Sequence, residues 1–309
     1  MPFITTGSHW RPSSQHTLTR EAQAKTSDFE FKCAILGHNT STECELSMSD
    51  ERVLYGLRVH DEGHVRVVTL DRPERRNPID LEIRPVLTAV FDEADADPDV
   101  RAVVLTGRDG AFCSGGDLSI MHKMTPHDSV PRLQAAQRIA RAIAGSGTPV
   151  VAAVDGGAVA AGLGLALCCD RVVASTTAVF DTGFVRVGLG TDLAASWALA
   201  RRVGVARAQQ MMIFPERLRG PEACNRGIVD VVVPPEDVLG RALDDARRLA
   251  TLPPRALSLL KRHFASIGND LDQAIADEIA IQAELMTTDD YAEGIAAARE
   301  KRPATFTGH

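Results

Sequence analysis

Two apolar runs, each breaking into a glycine-rich turn, constrain this chain more than any other feature. Val100–Thr106 leads into Gly107-Arg108-Asp109-Gly110 and then Ala111–Leu118, which contains Gly115-Gly116. Pro149–Val154 leads into Asp155-Gly156-Gly157 and on to Gly162-Leu163-Gly164. Short apolar runs ending at Gly and Asp read as buried strands. Strands alternating with helices indicate an α/β core. Small residues where a strand turns into a helix let a ligand reach the backbone. The first N–H groups of a helix have no internal partner and can hold an anion. Neither loop has the GxGxxG or GxxxxGK[ST] spacing of a phosphate cradle. Taken singly, each loop is also explained as a tight turn in a packed sheet. Taken together, they can aim one N–H each at a single oxygen.

The rest of the chain fits a sheet covered by helices. Val53–Val59 and Val65–Leu70 are β-rich runs around Asp61-Glu62-Gly63, which predicts a hairpin. Leu81–Ala96 is amphipathic and stops at Asp97-Pro98, and residues 113–131 read as a polar loop before a helix over Leu133–Ala144. Gly162–Cys169 starts a further helix; Arg171–Ala174 and Ala178–Phe180 are strand-like, and Ala194–Arg202 and Val205–Ile213 are helical. Gly227–Val233 is a strand or turn-strand unit, and beyond Pro235 the pattern is helical, with breaks at Pro253-Pro254 and Gly268. Residues 1–50 carry no lasting apolar period and are expected to form a disordered arm, with Met48 a candidate start of the folded protein. The expected division is therefore an arm over 1–50, an α/β core over 51–235 and a helical region over 236–309.

Composition removes several function classes. A net charge of −7, with aromatics at 5%, argues against nucleic-acid and anionic-membrane partners. The most membrane-like stretch, Val150–Cys169, is interrupted by Asp155 and four glycines, so no membrane span is expected. The six cysteines follow no zinc or CxxC spacing, and no His pairs with a carboxylate at ligand spacing, so no metal is expected. Buried thiols without a disulfide pattern point to a cytoplasmic protein.

Five segments resemble the crotonase superfamily, the enoyl-CoA hydratase/isomerase family. They are VVTLDRPERRNPID (67–80), VRAVVLTGRDGAFCSGGDL (100–118), TPVVAAVDGGAVAAGLGLALCCD (148–170), FVRVGLGTDLAASWALARRVG (184–204) and EKRPATF (300–306), in the family's order and spacing. The resemblance implies an α/β, crotonase-like ββα-spiral core with a C-terminal helical region used for trimerisation or as a lid. It implies a homotrimer or a dimer of trimers. It also implies an acyl-coenzyme A thioester as substrate, with no separate cofactor. The oxyanion donors carry over to the N–H groups of Gly116 and Ala161. Substrate contacts carry over to Arg75, Arg76, Ser114, Asp117, Leu118, Phe184 and Lys301, the basic residues facing phosphates. Asp117 also reads as a residue that shapes its own loop. Met121 and Met124 extend the apolar lining, while His122, His127 and His263 read as exposed.

The family's hydratases use two glutamates, and the matching positions here are Gly164 and Phe184. Neither side chain can carry a proton. The isomerases of the family, including the ring-1,2-epoxyphenylacetyl-CoA isomerase branch, carry Glu or Asp at the position of Asp192. A double-bond shift needs one base, and a carboxylate in an apolar stretch suits it. Asp192 also reads as the N-cap of the helix that follows. The expectation is a single-base isomerase. The alternatives are a hydratase using a displaced carboxylate such as Asp181, and a non-catalytic coenzyme-A-binding homologue.

Overall fold

The computed structural model describes residues 51–268 and 270–309. The expected arm over 1–50, with its proposed start at Met48, lies outside the described residues. The main sheet has seven strands: β1 (Arg52–Leu54), β2 (Leu57–Glu62), β3 (Val65–Leu70), β5 (Ala102–Gly107), β7 (Val150–Val154), β9 (Arg171–Ser175) and β12 (Val231–Val233), in that spatial order. β1, β2 and β3 pair antiparallel, and from β3 onward every pair is parallel. The hairpin forms as expected from Leu57 onward. The run from Val53 is divided by a turn at Gly56, whose φ of +66° suits glycine.

Side chains alternate across this sheet. Val68, Leu70, Val103, Leu105, Ala152 and Val154 face one core with helices α1 (Ile83–Ala96), α2 (Pro126–Ala144) and α3 (Ala161–Leu167). Val65, Val67, Ala102, Val104, Val151 and Ala153 face a second core closed by α7 (Val238–Ala250). A strand buried on both faces shows no polar alternation, which is why these runs are continuously apolar. α7 thus packs as a layer of the core. α8 (Pro254–Ser266), α9 (Leu271–Leu285) and α10 (Asp289–Glu300) follow.

Two small sheets were not legible in the sequence. β4 (Pro78–Ile79) pairs with β6 (Gly115–Gly116), and β8 (Gly157–Val159), β10 (Val179–Asp181) and β11 (Arg217–Arg219) form a three-stranded sheet. α4 (Ala195–Val203), α5 (Val205–Ile213) and α6 (Gly220–Asn225) complete the fold. α2 begins at Pro126, not Leu133. Thr125 caps it by accepting the Asp128 N–H, and Pro126 occupies the first turn, where its missing N–H costs nothing.

Candidate active site

The two glycine-rich loops are joined backbone to backbone. Cys113 N–H donates to Gly157 O at 2.8 Å, and Val159 N–H donates to Cys113 O at 3.1 Å. Gly115 (φ +92°) lies so close that a Cβ there would be 2.6 Å from Val159 O and 3.3 Å from Ala161 N. Gly116 and Ala161, the two expected oxyanion donors, are therefore brought to one seam. Ala161 opens α3, where a first-turn N–H has no partner four residues back. Ala160, immediately before it, adopts φ 49° and ψ −111°, and its N–H donates to Asp181 O at 2.8 Å. Cys113, beneath the seam, is fully buried, and burial pushes its thiol up to about 12.

A third segment fixes this pair from outside. Asn77 is buried, accepts the Arg72 N–H at 2.6 Å and donates its amide to Ala111 O. Arg76 O accepts the Ser114 N–H at 2.9 Å. Sequence reasoning overlooked Asn77, although Asn before Pro in a loop is a turn signal.

The expected substrate contacts fall into three groups. Arg75 donates to Asp117 Oδ2 at 2.7 Å, and Asp117 Oδ1 accepts the Ser119 N–H and hydroxyl. Hydrogen bonds from Ser119, with Arg75 assisting, hold the Asp117 carboxyl below its usual range against the effect of burial. Arg75 is thus paired within the loop. Arg76 and Lys301 are exposed and make no side-chain hydrogen bond or ion pair among the described residues. Leu118 and Met121 are exposed, whereas Phe184 is buried in a 3-10 turn over Gly183–Val187.

Asp192 lies beside α3. A Cβ at Gly164 would be 2.6 Å from Leu193 O and 3.0 Å from Asp192 O. Gly164 is three residues after Ala161 on the same helix, about 4.5 Å along the axis and on the same side. The Asp192 segment therefore packs about one turn from the second oxyanion donor. Asp192 does not cap α4 through its side chain. Oδ1 accepts the N–H of its own neighbour Leu193 at 2.8 Å and the Gln137 amide at 2.9 Å. Oδ2 has no hydrogen-bond donor among the described residues. Arg84 is buried, donates to Arg132 O at 2.8 Å and leaves its Nε unpartnered. Burial pulls its guanidinium below the usual range, and the charge of Asp192 opposes that fall. Neither Gln137 nor Arg84 was among the expected site residues.

The alternative carboxylate is differently placed. Asp181 is buried, with Arg186 on both its oxygens at 2.7 and 2.8 Å and Arg217 on Oδ2 at 3.0 Å. Both oxygens of this carboxylate thus accept from guanidinium groups, unlike Asp192, whose Oδ2 has no donor among the described residues. His122 and His127 are exposed, as expected, but His263 is buried, with Nε2 unpartnered. The Lys261 side chain is largely enclosed and pairs with Asp170 at 2.8 Å. Among the described residues, no group of three His, Cys, Asp or Glu side chains is arranged to hold a metal ion, and no helix is long and apolar enough to cross a membrane.

A profile of a family described as enoyl-CoA hydratase/isomerase matches residues 60–309. A Rhodobacter capsulatus protein named "Probable enoyl-CoA hydratase" is 38% identical over 243 residues, 78% of this chain and 94% of its own length. The Escherichia coli 1,2-epoxyphenylacetyl-CoA isomerase is 34% identical over 255 residues, 81% of this chain and 97% of its own. The crystal structure of an enoyl-CoA hydratase from Polaromonas sp. JS666 superposes with a TM-score of 0.77 at 32% identity, covering 81% of this chain and 99% of that one.

Proposed function

The chain belongs to the enoyl-CoA hydratase/isomerase family, and from that premise we propose that it is a double-bond isomerase acting on an acyl-coenzyme A with Asp192 as its single acid/base. The observation that carries this reading is the free Oδ2 of Asp192, beside a helix turn that offers Gly164 where a hydratase of the family would carry glutamate.

In this mechanism the thioester oxygen sits between the N–H groups of Gly116 and Ala161. Asp192 Oδ2 removes a proton from C2. The C–H electron pair moves into the thioester and forms a dienolate, whose oxygen gains negative charge. The two N–H groups bind that charge more tightly than the neutral carbonyl, and each such donor contributes about 3–4 kcal/mol in acyl chemistry. The same carboxyl returns its proton at C4, and the double bond moves from C3–C4 to C2–C3. Arg76 and Lys301, which lack acidic partners, are available for coenzyme A phosphates. No step is routed through a metal or cofactor. The buried free thiols support a cytoplasmic setting. The exposed Leu271 and Ile279 on α9 support self-association as a trimer or a dimer of trimers.

The name of the Rhodobacter relative favours a second reading, hydration of a 2-enoyl-CoA. Measuring both reactions on the same preparation separates the two. Isomerisation of a 3-enoyl-CoA is expected to exceed hydration of a 2-enoyl-CoA, and the reverse order would overturn the isomerase reading.

A further inference from the structure

We infer that Gln137 is a positioning residue that fixes Asp192 and selects which of its oxygens carries the proton. The inference rests on Asp192 being the base. Gln137 lies on α2, beside Ala136 and Ala140 of the buried face. Its amide is oriented without ambiguity. Oε1 accepts the Ala194 N–H at 3.1 Å, and a backbone N–H can only donate, so the other end of the amide must be Nε2. That end donates to Asp192 Oδ1 at 2.9 Å.

The bridge spans a strained turn. Leu193 and Ala194 both have positive φ, 47° and 50°, a conformation that L-residues avoid. Such a turn persists only where its surroundings hold it. Gln137 binds the N–H of its second residue, Gly164 gives the Leu193 carbonyl room, and Cys168 Sγ donates to that carbonyl at 3.6 Å. The turn in turn aims Asp192. With Oδ1 accepting two N–H bonds, a proton on Oδ1 would displace a donor, whereas a proton on Oδ2 displaces nothing.

The groups around Asp192 are few. α1 contributes the Arg84 charge, α2 contributes Gln137, and the stretch of α3 from Ala161 to Leu167 has no titratable side chain. On the α4 side the contact is backbone, with the Ala195 N–H donating to Asp192 O at 3.0 Å. Among the described residues Gln137 is thus the only side chain that donates to the Asp192 carboxylate, and removing it frees that carboxylate to turn.

Gln137→Glu and Gln137→Met separate the two roles. The Glu variant keeps an oxygen for the Ala194 N–H but presents no donor to Asp192 when ionised. The Met variant keeps the length and loses both bonds. On a 3-enoyl-CoA, Gln137→Glu should lower kcat about tenfold or more with KM little changed. The carbon-13 carboxyl signal of Asp192, assigned from Asp192→Asn and read at one pH, should move in both variants whether or not Asp192 is catalytic. Gln137→Met should show that shift together with a lower Tm. An unmoved Asp192 carboxyl signal in both variants would overturn the inference while leaving Asp192 as the base. An isomerase that survives Asp192→Asn would instead remove the reading beneath it.

Discussion

The Leu193 carbonyl oxygen lies 2.6 Å from the point a Cβ would occupy on Gly164. The place where the family's hydratases carry a glutamate is thus filled by the backbone that leads out of Asp192. Any side chain at 164 would meet the carbonyls of Asp192 and Leu193. Gly164→Glu should therefore not install hydratase chemistry. Overpacking against a carbonyl should cost about 1–3 kcal/mol of stability and displace the 192–194 turn. Denaturant unfolding and hydration of a 2-enoyl-CoA check this; a stable variant that gains hydration would contradict it.

Ala160 holds a conformation in which glycine is at ease, one residue before the second oxyanion donor. Ala160→Gly relieves strain of about 1–3 kcal/mol, partly offset by the freer unfolded chain. A net gain of about 1 kcal/mol is expected in chemical denaturation, with kcat preserved because the donor is the next residue's N–H. A loss of stability would show that the surrounding backbone, not residue 160, sets this turn.

Asp181 tests the alternative carboxylate. Its ion pairs with Arg186 and Arg217 join β10 to a neighbouring turn and to β11, but both arginines are partly exposed and screened. Asp181→Asn should lose about 1–3 kcal/mol of stability, less than a fully buried pair would give. The ratio of isomerisation to hydration should stay unchanged. A selective loss of one activity at full stability would return Asp181 to the chemistry.

The C-terminal tail is held by a carboxylate with a clear pH signature. Arg302, followed by the Thr305 N–H, lowers the Glu293 carboxyl from 4.5 to about 2. A carboxyl depressed in the folded state stabilises it fully above its unfolded value and loses that contribution as pH falls through its folded value. The Tm difference between wild type and Glu293→Gln should be full above about pH 4.5 and shrink as pH falls towards 2. A difference that is constant with pH would remove this ion pair from the tail's stability.

Burial also sorts the thiols. Cys113 and Cys168 are each pushed up to about 12 by burial, and Cys169 is raised as well, while Cys224 is partly exposed. Iodoacetamide on the native protein should label Cys224 first among the described cysteines, as read by peptide mass. Early labelling of Cys113 would mean that the loop seam opens.

The long parallel strands were legible as continuous apolar runs, and the amphipathic helices by their period. β4, β6, β8 and β11 were not, since strands of two or three residues owe their pairing to partners far along the sequence. Pro126 was read as loop because proline usually breaks helices, yet at the first turn it starts one. His263 was expected at the surface, where such residues ordinarily lie, but the packing around α8 buries it. At the site, the loops and Asp192 stood out in the motifs. Gln137 did not, because 55 positions separate it from Asp192 and only the fold closes that distance.

The most direct measurement is turnover of a 3-enoyl-CoA by Asp192→Asn beside wild type, with folding checked by circular dichroism. General acid–base groups contribute roughly 10²–10⁴-fold, so kcat should fall by that range with KM changed by no more than about threefold. Isomerisation by a folded Asp192→Asn variant at close to the wild-type rate would contradict Asp192 as the base.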